Sequence, residues 1–376
     1  MRFTCTRENL KHALLVTAHL SSKNITLPIL NNILIKTDGG RVVFSVTNLE
    51  LALRATVRAK VETEGAFTVP ARVLADVVQL HEDPQFELSV NKNSELELGN
   101  GKKKAVKIKG MAADEYPIIP AIENGVRVEV DAVLLRETLG QIVFATAKNE
   151  IRPELSGVFV AASSEDGKLI FAATDSFRLA EKKMTVKQIG KSVHAIVPSR
   201  ALFEVMRVLG GGLPVGEEEA KCTLVFSENQ FGFEYGSTTL VTRCVEGKFP
   251  DYTQIIPAQF KTRVTLPHAE LVKNIKAASL FATTGMNAVT VSVNAQNKEL
   301  SVSSANAQVG EYQSNTEVEI EGEDNMIVLN HRYLLDGLGA LETENVFVGL
   351  NSNSAPCLLR GVGENDYTYI IMPIKQ

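Results

Sequence analysis

A threefold internal repeat is the feature that most constrains the fold of this chain. Three segments each open with apolar residues four positions apart, as on one face of a helix: Leu10 and Leu14, Leu135 and Leu139, and Leu271 and Ile275. In each segment an apolar strand then runs into a basic helix start, at Val69-Pro70-Ala71-Arg72, Val197-Pro198-Ser199-Arg200 and Leu329-Asn330-His331-Arg332. Such self-similarity predicts three copies of one domain.

The segments between these helices alternate in polarity, as half-buried strands do. Period-two runs occupy residues 42–46, 168–172 and 299–303, and hairpin patterns occupy residues 86–98 and 224–233. Two helices packed on antiparallel sheet in each repeat predict an α+β fold. The expected domains are residues 1–125 (N-terminal), 126–260 (central) and 261–376 (C-terminal).

Composition narrows the class of protein. Thirty-nine Lys and Arg against 44 Asp and Glu give a net charge of −5, so any nucleic-acid-binding surface must be local. The four cysteines form no CxxC pair, which favours reduced thiols over a disulfide framework or a zinc site. No signal-like start and no run of about 18 apolar residues is present, which predicts a soluble, cytoplasmic protein.

No constellation of residues indicates catalysis. The six histidines show no HExxH spacing, so no catalytic residue, metal or cofactor is predicted. Gly210-Gly211-Gly212 lacks the Lys-Ser/Thr of a phosphate loop and fits a helix stop. Asp175 fits a turn better than a catalytic carboxylate, and Glu217-Glu218-Glu219 fits a solvated loop.

Basic side chains concentrate on the predicted helical segments, whereas many acidic residues fall in hairpins and loops. The helix-side basic residues are Lys11, His12, Lys23, Arg72, Arg136, Lys148, Arg152, Arg200, Arg207, Lys273, Lys276 and Arg332. Because amphipathic helices expose such residues for solubility alone, the pattern leaves open both a solvated face and a nucleic-acid-binding face.

Five segments carry a family resemblance through their order and spacing. They are Thr26-Leu27-Pro28-Ile29-Leu30, Val69-Pro70-Ala71-Arg72, Ala173-Thr174-Asp175-Ser176-Phe177-Arg178-Leu179-Ala180, Gly247-Lys248-Phe249-Pro250-Asp251-Tyr252 and Tyr369-Ile370-Ile371-Met372-Pro373-Ile374. Together with the repeat, they make essentially the whole chain resemble the bacterial DNA polymerase III beta subunit family, the sliding clamps. The resemblance implies a non-catalytic processivity factor of a DNA-directed DNA polymerase. Its head-to-tail homodimer would form a six-domain ring, with helices lining the hole and sheets outside.

The resemblance also implies partners and a DNA-contacting face. The expected partners are duplex DNA of any sequence, a replicative polymerase subunit, the clamp loader and other clamp-binding repair or replication proteins, with no membrane. The DNA-binding positions it implies are Lys23, Asn24, Arg72, Lys148, Asn149, Arg152 and Arg200. The chain departs from the family pattern at two places. Asn24 lies where a basic residue is frequent in the family, and Pro153-Glu154 lies where an aromatic pair is frequent.

The resemblance also implies a partner site, a hydrophobic cleft between the second and third domains that receives an extended peptide, which in polymerases is of the type Gln-Leu-x-Leu-Phe. Its implied residues are Leu155, Thr174, Phe177, Arg178, Leu179, Pro250, Gln254, Ile255, Met286, Asn330, Tyr333, Ser354, Pro356, Ile371, Met372, Pro373 and Ile374. Without the resemblance, the apolar members fit ordinary core equally well. Phe177, Gln254 and Met286 differ from residues common in the family, which implies an altered motif preference.

The implied dimer interface pairs Val106 and Ile108, on an alternating strand, with Leu280 and Phe281 of the other subunit. Two other functions stay open at this point. One is an accessory or repair-associated clamp, which the departures above permit. The other is a repeat-built enzyme or small-molecule-binding protein with its site between domains.

Overall fold

A computed structural model describes residues 1–20, 27–100, 103–148, 151–212, 220–283 and 285–375. Contacts within the chain divide it into two compact units. Unit 1 comprises Met1–Arg136 with Val186–Cys244, and unit 2 comprises Glu137–Thr185 with Val245–Gln376. Each unit therefore combines one end of the chain with part of its middle.

The secondary structure follows the repeat in chain order. The first part contains β1 (Arg2–Thr6), α1 (Arg7–Thr17), β2 (Asn32–Asp38), β3 (Arg41–Thr47), β4 (Leu51–Arg58), β5 (Lys60–Thr63), β6 (Ala66–Pro70), α2 (Ala71–Leu80), β7 (Gln85–Val90), β8 (Glu95–Asn100) and β9 (Lys103–Lys109). The second contains β10 (Val126–Asp131), α3 (Ala132–Ile142), β11 (Gly157–Ser163), β12 (Lys168–Thr174), β13 (Arg178–Thr185), β14 (Val193–Pro198), α4 (Ser199–Gly210), β15 (Lys221–Phe226), β16 (Gln230–Tyr235) and β17 (Thr238–Arg243).

The third part repeats the same succession. It contains β18 (Thr262–Pro267), α5 (His268–Ser279), β19 (Ala288–Asn294), β20 (Glu299–Asn306), β21 (Gly310–Glu317), β22 (Glu319–Gly322), β23 (Asn325–Asn330), α6 (His331–Gly339), β24 (Asn345–Leu350), β25 (Cys357–Gly361) and β26 (Tyr367–Ile371). Short 3-10 helices lie at Pro28–Asn31, Val143–Ala145, Pro153–Leu155 and Thr253–Ile255.

Two antiparallel sheets form unit 1. One has the strand order β5-β1-β7-β8-β9, and the other has the order β10-β15-β16-β17-β4-β3-β2-β6. In the second sheet β17 pairs with β4, with Leu240 opposite Leu53, so strands from the first and second repeats share one ladder of hydrogen bonds. The rings of Phe3 and Phe44 meet edge to face in the core.

Unit 2 is built in the same way. Its strands follow the order β11-β12-β13-β26-β25-β24-β18-β22 in one sheet and β21-β20-β19-β23 in another. The pairing of β13 with β26, with Leu179 opposite Ile370, joins strands of the second and third repeats. Both side chains are fully buried.

The helical stripes predicted from the sequence are confirmed. Leu10, Leu14, Leu135, Leu139, Leu271 and Ile275 are all buried. The expected helix stop is also confirmed, because α4 ends at Gly210 and Gly212 takes a positive φ of +71°, which glycine adopts without strain. Pro70 and Pro198 end their strands and are the N-cap residues of α2 and α4.

Candidate functional site

Three neighbouring strands of unit 2 bring segments from distant parts of the sequence to one end of a sheet. Ile371 of β26 lies opposite Cys357 of β25 on one side and opposite Arg178 of β13 on the other. Because both pairings are antiparallel, Pro356 and Phe177, which precede these partners, align with Met372, which follows Ile371. Three residues of the predicted cleft therefore lie in one row.

The segment after β26 is tied to the structure by its main chain. The amide of Met372 donates to the carbonyl of Phe177 at 2.8 Å, and the amide of Ile374 donates to the carbonyl of Val328 at 2.9 Å. Ile371 is buried, whereas Met372, Pro373 and Ile374 are half-buried. The segment thus presents apolar side chains at a surface instead of fraying into solvent.

A tight turn exposes Phe177. The Thr174 hydroxyl donates to the carbonyl of Arg178 at 2.6 Å, and Asp175 Oδ1 accepts the amides of Phe177 and Arg178 at 3.0 and 3.1 Å. The turn predicted at Asp175 is therefore confirmed. Ser176 has a positive φ of +77°, and the Phe177 residue is 61% exposed.

Arg178 is the buried centre of this region. Its Nε donates to Asp175 Oδ2 at 3.0 Å, its Nη1 donates to Asp336 Oδ2 at 2.5 Å and its Nη2 donates to the carbonyl of Phe144 at 2.7 Å. Burial would lower the pKa of Arg178, but Tyr369 and the carboxylates of Asp336 and Asp175 outweigh it and raise that pKa. Sequence reasoning missed Asp336, although it lies three residues after Tyr333 on a helix and so shares its face.

Helix α6 carries two further residues of the predicted cleft. Asn330 caps the helix, since its side-chain oxygen accepts the amide of Arg332 at 2.9 Å. Tyr333 lies with its ring over the Arg178 guanidinium, 4.6 Å from centroid to Cζ. The Tyr369 hydroxyl donates to the carbonyl of Tyr333 at 2.9 Å, which fixes the helix backbone at this point.

The remaining predicted cleft residues divide into buried and exposed groups. Leu155, Thr174 and Leu179 are buried in unit 2. Met286, Ile255, Gln254 and Ser354 are exposed, and Pro250 and Pro356 are half-buried. Met286 lies close in the chain to Ala288, which pairs with Asn330. Leu155 belongs to the segment that Arg152 links to the turn through a bond to Ser176 Oγ at 3.4 Å.

Of the predicted DNA-binding residues, Lys23, Asn24 and Asn149 lie outside the described residues. Arg72 on α2 and Arg200 on α4 are exposed in unit 1, and Lys148 and Arg152 are exposed in unit 2. Arg152 forms an ion pair with Glu154 at 2.9 Å. Glu154 thus partly neutralises the neighbouring cation.

A groove in unit 1 collects basic side chains from α1 and the residues just after it, from the first turns of α3, and from α2 and α4. Its volume is about 720 Å³, its basic lining residues are Lys11, His19, Arg72, Arg136 and Arg207, and Asp76 is the one acidic residue among the described lining residues. Sequence reasoning identified four of these basic residues but missed the groove, because its walls come from elements far apart in the chain. A net positive groove is suited to phosphate.

Arg207 also affects the charge of this groove through its hydrogen bonds to the end of α1. Its guanidinium donates to the carbonyls of Leu15, at 2.7 Å, and Val16, and to Glu204 at 2.8 Å. These carbonyls belong to the last turn of α1, where the helix dipole is negative. Arg207 therefore neutralises a helix end that would otherwise repel an anion beside Lys11 and Arg72.

The residues predicted for the dimer interface lie on edge strands or near them. Strand β9 is at the edge of its sheet, but Ile108 is only 5% exposed and lies opposite Leu96, so its side chain belongs to the core of unit 1. Leu280 is 74% exposed. Phe281 stacks on Tyr312 of the edge strand β21, with ring centroids 6.2 Å apart. The interface itself stays a prediction.

Three further features are absent from the described residues. Within them, no group of three or more His, Cys, Asp or Glu residues is placed to hold a metal ion. The same part of the chain contains no helix that is long and apolar enough to cross a membrane. Disulfide bonds are absent as well, since Cys5, Cys222, Cys244 and Cys357 are free thiols.

Comparison with known proteins gives the same family for every part of the chain. Models of the N-terminal, central and C-terminal domains of the DNA polymerase III beta subunit match residues 1–120, 129–251 and 253–375. The beta sliding clamp of Synechococcus elongatus is 32% identical over 381 residues, covering 100% of this chain and 99% of that protein. The beta sliding clamp of Staphylococcus aureus is 26% identical over 384 residues, with the same coverage of both proteins.

Solved structures agree with the sequence comparison. The crystal structure of the DNA polymerase III beta subunit from Thermotoga maritima superposes with a TM-score of 0.91 at 29% identity, covering 100% of this chain and 99% of that one. The DNA polymerase sliding clamp from Bacillus subtilis superposes with a TM-score of 0.91 at 26% identity and the same coverage. With three successive domains matched and the whole length covered, the chain belongs to the DNA polymerase III beta subunit family.

Proposed function

We propose that this protein is a DNA sliding clamp, a non-catalytic processivity factor that encircles duplex DNA and tethers a replicative polymerase. The observation that carries the proposal is the succession of three beta-subunit domains along the whole chain. The alternatives of a repeat-built enzyme or a small-molecule-binding protein lack any comparable support. The proposed domain limits are residues 1–125, 126–260 and 261–376, and the proposed place of action is the cytoplasm.

The charge distribution supports sequence-independent DNA binding. The protein as a whole is acidic, with a net charge of −5, yet the groove in unit 1 gathers Lys11, Arg72, Arg136 and Arg207. Duplex DNA carries one negative charge per about 1.7 Å of its axis, so such a surface attracts any sequence. Contacts to phosphates position DNA without reading bases, which is what a protein that slides requires.

Ring closure would come from two copies of the chain. Strands β9 and β21 are at sheet edges, and pairing with another subunit would protect their unpaired backbone groups. A head-to-tail contact between the first domain of one subunit and the third domain of the other closes into a ring when the rotation allows it. Retention on DNA then depends on enclosure, and tight contact is not needed.

Partner binding would use the row formed by Phe177, Met372 and Pro356 together with Tyr333. An extended peptide with apolar side chains suits such a surface, because exposed apolar residues at a strand end favour segments of matching character. Peptides of a polymerase subunit, of the clamp loader and of other replication or repair proteins are the proposed occupants. One shared site for several partners makes their binding to any one subunit mutually exclusive.

The test of the proposal is topological. The protein is loaded with a bacterial clamp loader onto nicked circular DNA, onto linear DNA with free ends and onto linear DNA with blocked ends. A clamp stays on the circle and on the blocked DNA through gel filtration but leaves the linear DNA with free ends. Equal retention on free and blocked linear DNA would contradict the proposal.

A further inference from the structure

Arg178 cannot offer its guanidinium to a partner without breaking bonds inside the protein. All three guanidinium nitrogens donate to internal acceptors, on Asp175, Asp336 and Phe144, and the side chain is only 5% exposed. Although Arg178 lies within the predicted cleft sequence, its geometry is that of a support behind the surface. Its contacts show what it supports.

The guanidinium joins two separate walls of the proposed cleft. One wall is the turn that exposes Phe177, which Arg178 holds through Asp175 at 3.0 Å. The other is helix α6, which it holds through Asp336 at 2.5 Å. These carboxylates are 161 positions apart in the sequence. Among the described hydrogen bonds, Arg178 is the residue that joins them. Arg178 therefore bridges the two walls, alongside the bond from the Tyr369 hydroxyl to the Tyr333 carbonyl.

Tyr333 is the cleft residue that depends on this arrangement. Its ring lies 4.6 Å from Arg178 Cζ, and the Phe144 ring lies 5.3 Å from the same atom. A cation over an aromatic face is attracted to it, more strongly when both are shielded from water. Asp336 is one helical turn from Tyr333, so it fixes both the helix and the cation on which the ring rests.

We propose that Asp336 is a positioning residue for peptide binding, which acts by holding Arg178 against the ring of Tyr333 and so, together with the Tyr369 bond to the Tyr333 carbonyl, fixes Tyr333 relative to Phe177. The inference rests on the proposed function, since it assigns a role within the proposed partner cleft. Asp336 does not contact the peptide. It determines where the contacting residues lie before the peptide arrives, which reduces the ordering required on binding.

Arginine is needed for this role and lysine does not replace it. The planar guanidinium presents several donors in fixed directions, whereas an ammonium is a compact point charge on a flexible stem. Lysine at position 178 keeps the positive charge but cannot reach Asp175, Asp336 and the Phe144 carbonyl together. Arg178→Lys and Asp336→Asn are therefore expected to weaken peptide binding to similar extents.

The experiment is a calorimetric titration of a peptide Gln-Leu-x-Leu-Phe into the full-length dimer. The variants are Asp336→Asn, Arg178→Lys, Tyr333→Ala and the double change Asp336→Asn with Tyr333→Ala. Glu342→Gln is the matched control, because it removes one carboxylate charge from an exposed residue shortly after α6. Thermal unfolding and sedimentation are measured on every variant, so that folding and dimer formation are compared alongside affinity.

We expect Asp336→Asn to weaken peptide binding about tenfold, because the neutral amide holds Arg178 less firmly than the carboxylate does, while Glu342→Gln leaves affinity unchanged. In the Tyr333→Ala background, Asp336→Asn should have no further effect, because the two residues act through one another. A role in folding alone would give the same loss in both backgrounds. If Asp336→Asn binds the peptide with wild-type affinity, or has an equal effect in both backgrounds, the role of Asp336 is refuted while the proposed partner cleft stands. Failure of the unaltered protein to bind the peptide would instead refute the proposed partner cleft as well.

Discussion

Gly337 of helix α6 and Tyr369 of strand β26 pack so closely that no other residue type fits at position 337. A Cβ placed on Gly337 would lie 2.1 Å from Cε1 of Tyr369. Tyr369 is fully buried and its hydroxyl is bonded to the Tyr333 carbonyl, so the ring has no room to withdraw. The missing side chain is what lets α6 approach the sheet and bring Tyr333 to its position.

The first prediction follows from this packing. Gly337→Ala should lower the free energy of unfolding by about 2 kcal/mol, because overpacking displaces buried groups. Gly339→Ala is the control in the same helix, since a Cβ there meets nothing within 4 Å. Because alanine has a higher helix propensity than glycine, Gly339→Ala should be neutral or slightly stabilising. Denaturant unfolding measures both, and equal effects of the two changes would contradict the packing argument.

The second prediction concerns the segment after β26. Deleting residues 372–376 removes the main-chain bonds of Met372 and Ile374 together with their apolar side chains. We expect loss of binding of the peptide Gln-Leu-x-Leu-Phe, with an unchanged dimer and unchanged DNA enclosure. Deleting only residues 375–376 keeps both bonds and should keep the affinity. Undiminished binding after the longer deletion would mean that partners dock elsewhere.

The third prediction tests the cations of unit 2. Replacing Lys148 and Arg152 with Ala should reduce DNA affinity and flatten its salt dependence, by about 0.9 in log–log slope for each phosphate that is no longer neutralised. Sequence preference should not change. Lys36→Ala with Arg41→Ala removes the same charge from exposed positions on β2 and β3 and serves as the control. Equal slopes for the two double variants would refute a DNA contact at Lys148 and Arg152.

The fourth prediction uses the ion pair between Arg152 and Glu154. Because Glu154 partly neutralises this cation and adds a negative charge beside it, Glu154→Gln should strengthen DNA binding and steepen its salt dependence. Fluorescence anisotropy with a labelled duplex at several salt concentrations measures the change. Glu165→Gln, which removes a carboxylate from the turn between β11 and β12, provides the comparison. A gain of the same size from both changes would show a general charge effect only.

The fifth prediction concerns assembly. Leu280→Ala with Phe281→Ala should shift the protein to monomer at micromolar concentration, as sedimentation velocity would show. Leu280 is 74% exposed and has little to stabilise within its own subunit. Val362→Ala removes apolar area from another exposed position and should leave the dimer intact. A dimer that survives the double change would exclude this surface as the interface.

The local sequence pattern was enough to predict most of the secondary structure, because the periodicities of helices and strands can be recognised within a few consecutive residues. The stripe of Leu10 and Leu14 and the alternation of residues 42–46 needed no knowledge of distant segments. The turn at Asp175 was predictable for the same reason, since its side chain bonds to amides two and three residues later. These features depend on short stretches of chain.

The candidate site was harder to predict from the sequence, since it depends on strand pairings and long-range contacts that a single sequence does not specify. Arg178 and Asp336 are 158 residues apart, and nothing in either neighbourhood indicates the other. Alternation shows that a strand such as β17 has a buried face, but it does not identify β4 as its neighbour. The cleft residues came from the family resemblance, which carries long-range information that periodicity lacks.

The sharing of strands between repeats limits how this protein can be taken apart. A fragment ending at residue 125 would retain β4 but lose β17, leaving a long central strand with unpaired backbone groups. A fragment beginning at residue 261 would likewise leave β26 without β13. Such newly exposed edges promote association between chains. The repeats are therefore units of similar sequence, but each depends on a neighbouring repeat to complete its sheet.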